Sequence, residues 1–171
     1  MAAGNSSPTS QGVFITRRVD APRSLVWKTW TDCAHVKRWW GPKPFTAPFC
    51  RIDLRVGGSY LFCMRSPEGR DFWSTGVYRE IVEPERIVFT DMFADANGGV
   101  VPASHYGLGG DWAAEIVVTV LFEELENDRT KLTLRQVGIP AGQMTDMTAA
   151  GWSTSLDKLA ESVAAELKSR G

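Results

Sequence analysis

Apolar positions along the chain change period three times, and the changes predict the elements. Val13–Val19 reads as a strand of β-branched and aromatic residues, stopped by Asp20-Ala21-Pro22. Leu25, Val26 and Trp30 then fall at helical spacing, predicting a short helix over 24–30 with Asp20 or Ser24 as its cap. Asp32 can cap a second short helix over 34–40, which Gly41-Pro42 ends. From Phe45 the period becomes two, and strands are predicted over 49–54, 59–65, 72–82, 87–92, 115–123 and 130–136. A Gly-rich connection over 94–111 interrupts them. The chain closes on Trp152, Leu156, Leu159, Val163 and Leu167, whose spacing predicts one amphipathic helix over 144–168.

An antiparallel sheet of six or seven strands has one apolar face to cover, and the C-terminal helix carries the only long apolar stripe. The predicted fold is therefore α+β: a curved sheet gripping one long helix, with the two short helices after the first strand plugging an end. This is the helix-grip arrangement, and the space between sheet and helix is the candidate pocket. Residues 13–168 are expected to form a single domain. Residues 1–12, polar and small, are expected to form a disordered tail.

Seven segments carry a family resemblance. They are Asp20-Ala21-Pro22 with Val26-Trp27, Lys37-Arg38-Trp39-Trp40-Gly41-Pro42, Ile52-Asp53-Leu54 with Gly57-Gly58-Ser59-Tyr60, Gly76-Val77-Tyr78-Arg79-Glu80-Ile81, Pro84-Glu85-Arg86-Ile87, residues 119–124, and Gly151-Trp152 with Leu156. In this order they resemble the SRPBCC (START-like) proteins grouped with the C-terminal domain of the heat-shock protein 90 ATPase activator. The resemblance spans about residues 13–168. It implies the same helix-grip, Bet v 1-like fold, and relatives that bind lipids, hormones and polyketides or act as cyclases. Fold alone does not choose among those functions.

Composition removes several classes. Nineteen basic against twenty acidic residues give a net charge of −1, which does not suit a general nucleic-acid binder. The longest near-apolar run, residues 116–122, is far shorter than the ~20 residues of a membrane helix. Two histidines and three scattered cysteines make no zinc site, and neither Gly57-Gly58 nor the glycines of 107–110 open a helix after a strand as a phosphate or dinucleotide loop does. No metal or cofactor is expected. Cys33, Cys50 and Cys63 match no CxxC pattern and read as reduced thiols of a cytoplasmic protein.

Seven Trp and eight Phe against three Tyr is the one oddity of composition: large apolar rings fill cores, and they also line pockets for apolar ligands. The expected lining is Trp39, Phe62, Met64, Tyr78, Glu80, Phe89, His105, Tyr106, Trp112, Val118, Leu134, Gln136, Trp152 and Leu156. Arg65, Tyr78, Glu80, His105 and Gln136 are its polar candidates. Glu80 shares parity with Tyr78, and Asp91 with Phe89, so either carboxyl could sit in an apolar cavity with a raised pKa. Gln136, in the row of Leu132 and Leu134, needs a ligand, a water or a backbone group as partner. His35 is expected to be solvated or capping. The 94–111 connection is expected to be a lid, with Tyr106, Trp112 and His105 as its contacts. Three functions remain open: a binder of a small hydrophobic or aromatic molecule, an enzyme using Glu80 or Asp91, and a co-chaperone acting on a chaperone ATPase. Homodimerisation is also left open.

Overall fold

The computed structural model describes residues 12–170. All of the expected tail but Gly12 lies outside them. Strand β1 (Val13–Val19) is followed by helices α1 (Arg23–Thr31) and α2 (Cys33–Trp39). Six strands come next: β2 (Thr46–Ile52), β3 (Ser59–Arg65), β4 (Asp71–Val82), β5 (Arg86–Thr90), β6 (Met92–Ala94) and β7 (Val117–Leu125). Then β8 (Arg129–Val137) leads into α3 (Gln143–Arg170). The strands form one antiparallel sheet in the order β1-β8-β7-β5-β4-β3-β2, with three-residue β6 beside β4. The fold is the α+β helix grip. The count of strands is eight because the predicted run 87–92 breaks at Asp91 into β5 and β6.

Local chemistry accounts for the helices. Pro22, extended at φ −61° and ψ 149°, occupies the N-cap of α1, and no side chain caps it, so neither Asp20 nor Ser24 does. The Asp32 carboxylate accepts from the Ala34 amide at 2.9 Å and starts α2. In α3 the buried positions are Trp152, Ser155, Leu156, Leu159 and Val163, the expected stripe with one serine inside it. Leu167 packs on the core from the last turns. No helix among the described residues is long and apolar enough to cross a membrane.

Rings fill the space between sheet and helix. Trp30 lies 4.7 Å from Trp39 and 5.8 Å from Trp152, and Trp40 lies 4.7 Å from Phe62 and 5.5 Å from Trp152. The enclosed cavity left among Trp30, Trp39, Trp40, Tyr60, Phe62, Tyr78 and Phe89 is about 10 Å³, room for one water at most.

Two expectations, that Cys33 and Cys50 are free thiols and that His35 is solvated or capping, are overturned. Cys33 and Cys50 form a disulfide with a Cα–Cα distance of 5.5 Å, joining the start of α2 to β2. Only Cys63 is free, and burial pushes its thiol up to about 11. The pair escapes a spacing argument because the fold, not the local sequence, brings α2 against β2. Disulfides persist in oxidising surroundings, so the cytoplasmic expectation loses the support it drew from three thiols. His35 is buried on α2, and burial, with Arg38 second, holds its pKa below the usual imidazole value.

Candidate functional site

Cross-strand pairing decides which side chains share the concave face. Phe62 is in the core, and its partner across the ladder is Ser74, itself opposite Phe93. Two residues along, Met64 is opposite Phe72. Side chains directly opposite in a ladder lie on one face. Met64, Phe72, Ser74 and Phe93 therefore continue the inner face beyond the filled core. All four are half-buried rather than buried. Ring contacts extend the row: Phe45 to Phe72 at 6.0 Å, Phe72 to Tyr106 at 5.3 Å, Phe93 to Tyr106 at 6.0 Å and Phe93 to Trp112 at 5.1 Å.

Two loops approach the start of α3: a Cβ on Gly110 would lie 2.9 Å from Cγ of Pro140, just before the helix, and a Cβ on Gly151 within it would lie 3.6 Å from Pro42 Cγ. The half-buried aromatic row continues the concave face beyond the filled core, and that strip of inner surface is termed the groove. The Lys158 ammonium fastens the second loop, donating to the carbonyls of Gly41, Pro42 and Phe45 at 3.1, 3.2 and 2.9 Å. Replacing it with Met should cost about 1–3 kcal/mol by orphaning three carbonyls. Hydrogen exchange should accelerate at residues 41–45, and unchanged exchange there would deny Lys158 this role.

The groove's inner end is polar. Asp91 follows Phe89 and precedes Phe93 on the same parity, so its carboxyl turns inward between them. Gln136 Nε2 donates to Asp91 Oδ2 at 3.2 Å, and the Trp152 indole N–H donates to Gln136 Oε1 at 2.6 Å. The Tyr60 hydroxyl lies 2.8 Å from the Thr90 carbonyl and 3.2 Å from Asp91 Oδ1, so one phenol proton serves two acceptors. Asp91 is half-buried as a residue, yet its carboxyl is deep enough that burial raises its pKa to about 6, with the donations from Tyr60 and Gln136 holding it back. Burial also drives the Tyr60 phenol well above its ordinary value, with the Asp91 charge second.

Gly76 creates the room for this inward turn. A Cβ there would stand 1.7 Å from the Thr90 carbonyl oxygen. The β5–β6 junction crosses the space of the missing side chain, and Val77 secures it by donating its amide to Thr90 Oγ1 at 2.9 Å. The kink that splits β5 from β6 and aims Asp91 inward is the same feature.

Most of the expected lining separates into four groups. Trp39, Phe62, Tyr78 and Phe89 surround the small enclosed cavity. Val118, Leu134 and Leu156 are solid core, and Trp152 and Gln136 belong to the polar cluster. Met64 and Trp112 border the groove. Tyr106 packs into its wall, with its hydroxyl donating to the Ala94 carbonyl at 2.5 Å and accepting from the Trp73 amide at 3.1 Å.

Three candidates stand elsewhere. Glu80 does not follow Tyr78 inward: Tyr78 pairs with Phe89 but Glu80 pairs with Val88, so Arg79 is an extra residue and the bulge reverses the parity. Glu80 instead accepts from Arg86 at 3.0 Å on the outside. Arg65 is exposed and paired with Asp71 at 2.6 Å. His105 is exposed, although its ring neighbours that of Tyr106. Two side chains, Asp91 and Trp152, are the partners the structure gives Gln136. Phe72 and Phe93 stand outside the expected lining because only the β3–β4–β6 register puts them on the inner face, and Phe45 joins the row through its ring contact with Phe72.

The 94–111 connection is a pinned structure. Ala94 bridges Val100, the Asp95 carboxylate accepts from the amides of Asn97 and Gly99 at 2.9 Å, and Val101 donates to the Phe93 carbonyl at 2.9 Å. A 3-10 turn (Ala103–Tyr106) then delivers Tyr106. Tyr106→Phe should remove the buried latch at a cost of about 1 kcal/mol and raise exchange at residues 100–107. Exchange equal to that of the parent protein would show that the latch does not hold the segment.

Comparison with known proteins agrees with this architecture. The family model described as Activator of Hsp90 ATPase homolog 1-like protein matches residues 20–164. A solved protein of Chromobacterium violaceum is 28% identical, covering 90% of this chain and 97% of its own, with TM-score 0.72. One from Arthrobacter aurescens is 26% identical, covering 88% of this chain and 84% of its own, at 0.74. The AHSA1 protein of Silicibacter pomeroyi shares the fold at 23% identity, 91% and 99% coverage and TM-score 0.69. No curated protein matches significantly. With the family model spanning most of its length, this chain belongs to the Activator of Hsp90 ATPase homolog 1-like family.

Proposed function

We propose that this protein binds a small ligand with an apolar, aromatic body in the groove beyond the filled core. The observation that carries the reading is the row of half-buried rings, Phe72, Phe93 and Trp112, ending at the Asp91–Gln136–Trp152 cluster. Apolar surface left open beside satisfied polar groups is what a site of this kind presents: burial supplies affinity at about 25 cal/mol per Å², and the polar end sets orientation. The core cavity, at about 10 Å³, has no room for such a ligand unless the tryptophans move, and the open pocket of about 360 Å³ among Asp20, Pro22, Asn127, Arg129 and Leu167 has no aromatic ring in its lining, which together favour the aromatic row.

Native mass spectrometry of the purified protein with naphthol tests the reading. A one-to-one adduct is expected, with affinity falling about tenfold in Phe93→Ala as ring contact is lost. No adduct, or an adduct indifferent to Phe93, would overturn it. A second reading is supported by Asp91 itself, since an acid with a pKa of about 6 beside a groove can exchange protons near neutrality. A compound released with altered mass, and left unaltered by Asp91→Asn, would assign catalysis to the site. Stimulation of a chaperone ATPase by the pure protein would favour the co-chaperone reading that the family's description suggests.

A further inference from the structure

Resting on the groove reading, we propose that its ligand is an organic monocation, an aromatic or alkyl body carrying a protonated amine that pairs with Asp91. Three observations converge on this chemistry.

The first is charge. Asp91 is the inward carboxyl of the concave face, and among the described residues its partners are Tyr60 and Gln136, both neutral. Asp71 and Glu115, by contrast, are each paired with an arginine, Arg65 and Arg79. An uncompensated carboxylate in an apolar setting is costly, and a cation is the partner that removes the cost.

The second is the geometry of its donors. Gln136 is fixed by Trp152, so its amide N–H already serves Asp91 Oδ2. The Tyr60 hydroxyl oxygen lies closer to the Thr90 carbonyl oxygen, 2.8 Å, than to Asp91 Oδ1, 3.2 Å. Oδ1 is therefore the atom with accepting capacity to spare, and an ammonium N–H is the donor that suits it.

The third is the walls. Phe93 and Trp112 meet edge to face at 5.1 Å, with Phe93 two residues beyond Asp91 on the same face. Aromatic faces attract cations, and this row already holds one: the Arg70 guanidinium sits 4.8 Å above the Phe72 ring at the outer end. Arg70 occupies the Phe72 ring, while no such cation is placed over Phe93 or Trp112 among the described residues. An anionic ligand would meet Asp91 at the inner end with no cation beside it, and a neutral one would leave the charge unpaired.

A matched trio of probes tests this: naphthalene-ethylamine, naphthalene-ethanol and naphthalene-acetate, which share one ring system and differ in charge. Calorimetric titration at pH 8 should show the amine binding about tenfold more tightly than the alcohol, and the acetate more weakly than either. In Asp91→Asn the ratio of amine to alcohol affinity should fall to within about twofold of one. The alcohol reports the groove and the amine-to-alcohol ratio reports the charge. Equal affinities for amine and alcohol, or a preference that survives Asp91→Asn, would overturn the cation assignment and leave the groove standing. If no member of the trio binds, the groove reading fails with it.

Discussion

Gly76→Ala should destabilise the protein by about 3–5 kcal/mol, although it adds a single methyl group. The added Cβ would stand 1.7 Å from the Thr90 carbonyl oxygen and 2.6 Å from its carbon. These are backbone atoms in a junction held from three sides, by Tyr60 on the Thr90 carbonyl, Val77 on the Thr90 hydroxyl and Ile116 accepting from the Asp91 amide. No rotamer change relieves the overlap; the β5–β6 kink must move, and Asp91 with it. Gly107→Ala is the control. Gly107 has φ +80°, and a Cβ added there would meet nothing within 4 Å, so its cost is conformational only, about 1 kcal/mol. Urea unfolding of both variants checks the contrast. A Gly76→Ala midpoint as high as that of Gly107→Ala would show that the close approach at Thr90 does not constrain the fold.

The second large effect is a stability that falls as pH rises from about 4 to about 6. In the unfolded chain Asp91 ionises near the ordinary carboxylate value, and in the folded protein burial raises its pKa to about 6. Between these values the folded form holds a proton the unfolded form has released, so raising pH favours unfolding. Two units correspond to about 3 kcal/mol, fully lost above about pH 7. His35 acts in the opposite direction: burial lowers its pKa, so its contribution grows as pH rises towards the ordinary imidazole value. Asp71 and Glu166, held low by Arg65 and Arg38, add small surface contributions that disappear in acid. The difference between the parent and Asp91→Asn cancels all three. That difference curve should slope by about 3 kcal/mol across the window. A flat difference would mean that Asp91 titrates as it does in water.

The same elements show what the order of residues conveys and what it hides. The α3 stripe was legible because helical periodicity is local: Trp152, Leu156, Leu159 and Val163 lie on one face whatever else the chain does. Asp91 was legible as an inward acid because parity runs unbroken from Ile87 through Phe89. Glu80 was misread by the same rule, since one extra residue at Arg79 reverses every side chain after it, and a bulge leaves no mark on alternation when both faces are mixed. Phe72 and Phe93 were hidden for a related reason, because the face they occupy depends on which strands pair. The Cys33–Cys50 bridge and the Gly76–Thr90 approach depend on three-dimensional proximity alone. Gln136 marked a position that needed a partner, but not that the partners would be Trp152 and Asp91.

If a ligand sits in the groove lined by Phe72, Phe93 and Trp112, with Asp91 at its inner end, the residues around it must sense its arrival. Amide and indole chemical shifts during titration with naphthalene-ethylamine test that most directly. Saturable shifts are expected at residues 91–93, 112 and 136, with the Trp112 and Trp152 indole signals moving and the distant turn at 126–129 silent. Shifts centred on that turn and Leu167, with Phe93, Trp112 and Gln136 unmoved, would contradict a ligand in the groove.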